Sequence, residues 1–328
     1  MQRWYLLGTV LVIACNADPS SELDGGLIVE GKKKFDAAID APPIDAPPID
    51  AGPCTVNMWC LDGSPVSTKL NGVFALSSDD VFAVGDGGVI LRRTGGTWSV
   101  MTSGTTNNLR GVWAASASEA WAVGASGTIL KWNGSTWSPA GGPTTTTTYE
   151  AVWGSSATDV WAVGGTRVDR YTGSGWTTYG RSATVLLDVS GTGPNDVWIT
   201  GEGAYIQRWN GAAWSTNTMN GIGSDLFAVH ALSTANVWVT SGVPSKQTAN
   251  WTGSTWTPYT TTANAMSSLW GSGATDLWGV SGVKIAHWTG TWAVETPATI
   301  TQNLRAVSGS GTYVWVVGDG GTIAHRHP

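Results

Sequence analysis

Charged residues are scarce in this 328-residue sequence, in which only 12% are Asp, Glu, Lys or Arg. From Cys54 to the end there are 13 Lys and Arg against 15 Asp and Glu, without a basic run. Such a near-neutral chain has no electrostatic footprint for nucleic acid, so direct nucleic-acid binding is not expected. Strong helix formers are also sparse, whereas 44 Gly and 21 Trp are present. This composition argues against a helical protein.

No apolar run is long enough to cross a bilayer as a helix, which needs about 20 residues. The N-terminal run, residues 4–14, has eleven residues and follows Arg3, which is the pattern of a signal-peptide core. Its end, "VIAC", resembles the lipobox of bacterial lipoprotein signal peptides. That resemblance implies a signal peptide over residues 1–14 and acylation of Cys15. The alternative is an ordinary signal peptide that contains a cysteine.

Residues 15–53 contain the repeated unit "IDAPP". Proline at this density blocks helices and sheet ladders and favours extended polyproline II. We therefore predict a disordered, acidic linker between the anchor and a domain that begins at residue 54. The alternative is a disordered segment without a tethering role.

Cysteine is rare as well, with three residues in the whole chain. If Cys15 carries lipid, Cys54 and Cys60 remain as an even pair in an oxidising compartment, and we predict a disulfide between them. A turn through the intervening residues is required to bring them into bonding range. Two cysteines without nearby histidines are half of a ligand set, so neither a metal site nor a cofactor is expected.

A repeat of 37 to 40 residues fills the chain from residue 70 onwards. Its units begin at Leu70, Leu109, Tyr149, Leu186, Leu226, Met266 and Leu304. Eleven or twelve residues into each unit stands one aromatic residue: Phe82, Trp121, Trp161, Trp198, Trp238, Trp278 or Trp315. Repeats of this length indicate a propeller or another repeat architecture. The aromatic residues occupy predicted strand positions, so we expect them to pack between sheets.

Each unit contains four short strand candidates separated by acidic, glycine-rich or Asn-Gly turns, which is the pattern of one propeller blade. The last unit stops after its third strand, and Trp59 has the spacing of a fourth strand. The sequence therefore predicts an all-β, seven-bladed propeller of four-stranded blades over residues 54–328. An N-terminal strand would complete the last blade and close the ring.

The units resemble those of bacterial secreted and lipoprotein propellers, and are more distantly similar to sialidase-type Asp-box repeats and photosystem II assembly-factor propellers. The turn segments "WNGSTW" and "WTGSTW" carry the likeness, although Asn133 and Thr252 stand where an Asp box has Asp. The resemblance therefore implies a fold rather than an activity. A sialidase-like glycosidase is the alternative function that it suggests.

Catalytic motifs are not recognisable, since no Ser-His-Asp signature or pair of carboxylates stands out, and an enzyme is disfavoured. Variable loops between blades are better candidates, because loops on rigid scaffolds often bind partners. We predict binding of a protein or glycan through Arg110, Tyr149, Tyr179, Arg181, Tyr259 and Arg305. We predict a monomeric binding or scaffolding module that lies outside the cytoplasm. Its lipid alone would attach it to a bacterial membrane, either the outer membrane or the cell surface.

Overall fold

The computed structural model describes residues 59–217, 219, 224–242 and 247–326. Their regular elements are 26 strands and three short 3-10 helices, Asp86–Gly88, Ala125–Gly127 and Asp319–Gly321. The strands coincide with the runs of Val, Trp and Ile, and turns rich in Gly, Asn and Asp separate them. Within these ranges no helix has the length and apolarity that a membrane crossing requires.

The strands form six antiparallel sheets. The sheet that joins the two ends of the described chain contains β1 (Trp59–Leu61), β24 (Leu304–Ser310), β25 (Tyr313–Gly318) and β26 (Ile323–Arg326). The next sheet contains β2 (Leu70–Ala75), β3 (Val81–Gly85), β4 (Ile90–Thr94) and β5 (Thr97–Met101). It is followed by β6 (Leu109–Ser116), β7 (Glu119–Gly124), β8 (Ile129–Trp132) and β9 (Trp137–Pro139).

The third sheet in chain order has six strands: β10 (Ala151–Ser156), β11 (Asp159–Tyr171), β12 (Trp176–Gly193), β13 (Asp196–Gly201), β14 (Tyr205–Trp209) and β15 (Trp214–Thr216). The fourth contains β16 (Leu226–Ser233), β17 (Asn236–Ser241), β18 (Gln247–Trp251) and β19 (Trp256–Thr260). The fifth contains β20 (Ser268–Gly273), β21 (Asp276–Ser281), β22 (Lys284–Trp288) and β23 (Trp292–Glu295).

The prediction of seven blades is wrong, because the strands form six sheets and hence six blades. The repeats that begin at Tyr149 and Leu186 share the six-stranded sheet. In this sheet β11 runs for 13 residues and β12 for 18, through positions where other repeats have a turn or leave the sheet. The repeat that begins at Tyr149 is the shortest, and its connecting segment stays paired, with Arg181 opposite Arg167. Seven sequence repeats are thus folded into six sheets, five of them with the predicted four strands.

The N-terminal strand completes the last sheet. β1 pairs antiparallel with β26, with Trp59 opposite Arg326 and Leu61 opposite Ala324. The Asp62 N–H extends this pairing by donating to the Ile323 carbonyl at 2.9 Å. This arrangement joins the two ends of the ring and covers the sheet edge that β26 would otherwise expose.

The repeated aromatic residues form one continuous packing system between the repeats. Each second-strand aromatic is buried and meets the fourth-strand Trp of the following repeat edge-on, with ring centroids 5.5 to 6.2 Å apart. The pairs are Phe82–Trp137, Trp121–Trp176, Trp161–Trp214, Trp198–Trp256, Trp238–Trp292, Trp278–Trp59 and Trp315–Trp98. Edge-on pairs contribute about 0.5–1.5 kcal/mol each beyond burial. The tryptophans therefore hold the sheets together, as the sequence predicts.

First strands of neighbouring repeats fit together by complementary size. The Trp113 ring lies against Gly154, where an added Cβ would come within 2.6 Å of the indole. Trp153 and Gly191 make the equivalent contact. Where a serine replaces the Trp, its hydroxyl accepts a backbone hydrogen bond instead, as Ser190 does from the Ala231 N–H at 3.1 Å. These joints thus use either a ring over glycine or a polar bridge, whereas Phe74 meets Trp113 edge-on at 6.3 Å in the first joint.

Candidate functional site

A cavity of about 170 Å³ lies at the centre of the propeller, between the first strands of the repeats. The first residue of every repeat is buried in the sheet packing. Because side chains alternate along a strand, the second residue of each repeat faces the cavity. Seven side chains at this second position line it: Asn71, Arg110, Glu150, Leu187, Phe227, Ser267 and Arg305. We call these seven residues the cavity ring.

One part of the cavity ring is polar and internally saturated. Arg305 forms a bidentate ion pair with Asp319, with both N–O distances 2.8 Å. This pairing lowers the pKa of Asp319, although partial burial opposes the shift. Asn71 Nδ2 donates to Asp86 Oδ1 and to the Leu109 carbonyl, each at 2.8 Å. These side chains have the hydrogen bonds they need within the protein.

Arg110 and Glu150 form a looser pair in the same cavity. Arg110 Nε lies 4.0 Å from Glu150 Oε2, beyond hydrogen-bonding distance, and the side chains are 34% and 35% exposed. Among the described residues, Arg110 Nε is buried without a hydrogen-bond partner. Burial raises the pKa of Glu150, and the Arg110 charge opposes this only in part. The pair therefore has unused capacity to donate and to accept.

Asp188 also lines the cavity, next to Leu187. Its two oxygens accept the Val189 and Val229 N–H groups at 2.8 Å each, which ties β12 to β16. Burial raises the pKa of Asp188 to about 7, against the lowering effect of these two hydrogen bonds. Ser268 bridges to the Val307 N–H in the equivalent place of another joint, at 3.2 Å. A serine hydroxyl therefore makes the same bridge between strands at another joint, which indicates that Asp188 has a structural role.

The structure brings only two of the six predicted binding residues, Arg110 and Arg305, to the cavity. Tyr149 is fully buried, and its hydroxyl donates to Asp169 Oδ2 at 2.6 Å. Asp169 also accepts hydrogen bonds from Arg167 and Thr178. Burial, followed by this contact with Asp169, raises the pKa of Tyr149. Tyr149 is thus part of the core, and a surface partner cannot reach it in this structure.

The other predicted residues lie away from the cavity. Tyr179 packs edge-on against Trp161 with centroids 5.4 Å apart, and Tyr259 stacks on Trp238 at 5.3 Å. Both are half-buried members of inter-sheet aromatic clusters. Arg181 is exposed on β12 and forms no ion pair with any described residue. The binding role of these residues stays a prediction.

Five of the seven cavity-ring residues are missed by the loop-based reasoning. Asn71, Glu150, Leu187, Phe227 and Ser267 join the two arginines because all occupy the second position of a repeat. The signal that identifies them is the repeat register itself. Every repeat has a buried first residue, so its neighbour on the strand must face the other way.

Basic residues of the third strands form ion pairs within their own repeats. Four of these pairs are 2.6 to 2.9 Å long: Asp80–Arg92, Asp159–Arg170, Asp196–Arg208 and Asp276–His287. Glu119–Lys131 is longer, at 3.7 Å. In the last repeat His325 instead lies 2.7 Å from Asp62. These contacts give the side chains a structural role.

Two carboxyl groups, Glu150 and Asp188, share the cavity, which is the kind of arrangement that a glycosidase needs. Asp188 nevertheless uses both oxygens on backbone N–H groups. His230 is likewise engaged with the backbone, since its Nε2 accepts the Gly271 N–H at 3.1 Å. In the described part of the chain no three His, Cys, Asp or Glu side chains cluster as a metal site would.

Cys60 is disulfide-bonded. Cys15 and Cys54 both lie outside the described residues, so the pairing of Cys60 with Cys54 stays a prediction. The predicted signal peptide and linker, residues 1–53, lie outside them as well.

Comparison with known proteins supports the fold. No protein-family profile matches the sequence, and no curated protein sequence matches it. YCF48 bound to D1 peptide superposes with a TM-score of 0.67 at 14% identity, over 84% of this chain and 98% of that one. The WD40 propeller of Doa1 gives 0.69 at 13%, over 81% and 94%. Virginiamycin B lyase from Staphylococcus aureus gives 0.65 at 13%, over 81% and 98%. At such identities the likeness shows a β-propeller and no shared activity.

Proposed function

We propose that this protein is a protein-binding module whose partner enters the central cavity. The contrast between two adjacent repeat positions carries the proposal. The first position holds only Leu, Tyr or Met and is buried in all seven repeats. The second position holds Asn, Arg, Glu, Leu, Phe, Ser and Arg. Packing dictates the first position, whereas six different side chains at the second give the cavity the chemical variety of a recognition site.

A protein partner fits the surface better than a glycan. In the described part of the chain, Leu61 and Val100 are the exposed large apolar side chains, and neither is aromatic. Phe227 is the one aromatic residue of the cavity ring, so that ring has no platform of several aromatic side chains for sugars. YCF48, a propeller of similar architecture, has been solved with a bound peptide. That precedent supports a peptide segment as ligand for this chain.

Filling the cavity tests the proposal. Ser267 is exposed at the cavity wall, so Ser267→Trp would place a large ring in the opening. Ser138→Trp is the matched control, because Ser138 is equally exposed but lies on the outer strand β9. Full-length protein and both variants are used to capture proteins from the native cells. We expect Ser267→Trp to lose the proteins that wild type and Ser138→Trp retain. Equal capture by all three would refute a cavity-bound partner.

We also propose that the module is held outside the cytoplasm through acylated Cys15. The support is the lipobox-like "VIAC" followed by the proline-rich segment. Metabolic labelling with an alkyne fatty acid should label the protein, and Cys15→Ser should remove the label. Undiminished labelling of the variant would contradict this anchor.

A further inference from the structure

The Arg110–Glu150 pair differs from the other ion pair of the cavity ring in being open. Arg110 and Arg305 occupy the same repeat position in two different repeats. Arg305 makes two hydrogen bonds of 2.8 Å to Asp319, whereas Arg110 stands 4.0 Å from its carboxylate. Arg110 Nε has no hydrogen-bond partner among the residues that the structure describes. Nε itself is buried, so the donors of Arg110 that a ligand can reach are the terminal nitrogens of a side chain that is 34% exposed.

We propose that Arg110 and Glu150 together recognise a primary carboxamide, the side chain of Asn or Gln in a peptide segment of the partner. This inference rests on the protein-binding function proposed above. The guanidinium donates to the carboxamide oxygen, and the Glu150 carboxylate accepts from the amide NH₂. A primary carboxamide presents its oxygen and one N–H on the same side, which a trans peptide group does not.

The separation of the pair leaves both side chains open to one ligand group. Standard bond lengths place the oxygen and nitrogen of a carboxamide about 2.3 Å apart. The terminal guanidinium nitrogens of Arg110 can hydrogen-bond the oxygen, and the Glu150 carboxylate, 4.0 Å from Nε, can accept from the nitrogen.

The charge balance of the cavity favours a neutral ligand group. Arg305 is neutralised by Asp319, and Lys69 lies 3.5 Å from Asp86. Asp188 has both oxygens on backbone N–H groups and so offers no free acceptor pair to a ligand. Arg110 and Glu150 carry opposite charges close together. A ligand carboxylate would satisfy Arg110 and repel Glu150, and an ammonium group would do the reverse. A carboxamide satisfies both partners and adds no charge.

Apolar side chains of the cavity ring supply the neighbouring contact. Leu187 and Phe227 line the same cavity from β12 and β16, and both are partly exposed there. A binding site in proteins commonly combines an apolar wall with a few convergent polar groups. The ligand segment is therefore expected to carry an apolar group beside its Asn or Gln.

Three probes with one apolar tail test the chemistry: 4-methylpentanamide, 4-methylpentanoate and 4-methylpentylamine. Binding to the full-length protein is measured by saturation-transfer NMR titration. We expect the amide to bind at least about tenfold more tightly than the acid or the amine, because each of these leaves one charged partner unsatisfied. Tighter binding of the acid or the amine, or no binding of the amide, would overturn the inference.

Variants of the two arginines provide the matched control. Arg110→Met should weaken amide binding at least about tenfold, since it removes every donor while keeping a side chain of similar length. Arg305→Met should leave it within about twofold, because Asp319 already holds that guanidinium with two hydrogen bonds. Glu150→Gln should retain amide binding, since its carbonyl still accepts. Equal losses in the two arginine variants, each confirmed to be folded by circular dichroism, would contradict the assignment.

The two proposals fail in different ways. Loss of protein capture in Ser267→Trp together with unchanged amide binding in Arg110→Met would preserve the cavity as a protein site and eliminate the carboxamide. Amide binding without any cavity-dependent protein capture would preserve the local chemistry and eliminate the proposed function.

Discussion

Removing the charge of Asp62 should destabilise the ring closure strongly. Asp62 follows β1, and its carboxylate contacts three groups, on β26 of its own sheet and on β4 and β5 of the next sheet. His325 Nδ1 lies 2.7 Å from Oδ1, while the Trp98 indole donates to Oδ2 at 2.8 Å. Arg93 Nε lies 3.4 Å from Oδ2. The Asp62→Asn variant keeps the size of the side chain but removes its charge.

The expected loss of stability follows from the burial of Asp62 and the side chains that it contacts. The side chains of Arg93, His325 and Asp62 are 2%, 0% and 11% exposed. Arg93 also lies over the Trp315 ring at 4.9 Å. Arg93 keeps a second ion pair, with Asp79, so the loss is that of a buried hydrogen bond to a charged group, about 1.5–3 kcal/mol. For a domain of this size that loss corresponds to a decrease in Tm of about 3 to 12 °C.

The pH dependence of stability provides a second test of the contacts of Asp62. Burial alone would raise the pKa of Asp62, but hydrogen bonds and charge from His325, Trp98 and Arg93 lower it below 3.8. A folded-state pKa below the unfolded value gives stability that is present above pH 3.8 and is lost as the pH falls. Asp62→Asn should therefore flatten the acid limb of the Tm–pH curve.

Differential scanning calorimetry at a fixed scan rate measures both effects. Glu119→Gln is the control, since Glu119 and Lys131 form an exposed pair at 3.7 Å with side chains 38% and 28% exposed. Its loss should be below about 1 kcal/mol. An Asp62→Asn protein that melts within a degree or so of Glu119→Gln would refute the argument that buried charge fastens the ring.

Two further substitutions probe the joints between repeats. Burial raises the pKa of Asp188 from 3.8 to about 7, so the wild-type protein should lose stability as the pH rises through this range. Thermal melts of Asp188→Asn should show no such loss. A parallel loss in both proteins would contradict the raised pKa. Gly154→Ala should cost about 1–3 kcal/mol by urea denaturation through overlap with Trp113, and Trp113→Phe should recover part of it. Gly193→Ala, with no atom within 4 Å of its added Cβ, should be neutral.

The repeat register predicts much of the fold because it reports packing directly. Trp59 has the spacing of a fourth-strand residue, and in the structure it meets Trp278 as the other fourth-strand tryptophans meet their partners. The number of blades does not follow from the register. It depends on whether a connecting segment leaves the sheet, and here β12 pairs with β11 from Trp176 to Arg181 and again at Leu186. Strand propensity alone cannot distinguish these outcomes.

The candidate site is less predictable than the fold. Arg110 and Arg305 share a repeat position, so the sequence can place them together. It cannot show that Arg305 is saturated by Asp319 while Arg110 stands apart from Glu150. Tyr149 illustrates the opposite error, since a loop-like neighbourhood suggests exposure although its ring occupies a core position. Whether each of these side chains is open to a ligand depends on contacts with residues that are distant in the sequence.

Site-specific photo-crosslinking tests the central claim, that a protein partner enters the cavity, most directly. A benzophenone amino acid is placed at Ser267 in the cavity wall, or at Ser138 on the outer strand, and the full-length protein is irradiated in its native cells. We predict a discrete crosslinked protein from position 267 and none from position 138. Crosslinking from position 138 alone, or no difference between the two positions, would contradict binding at the cavity.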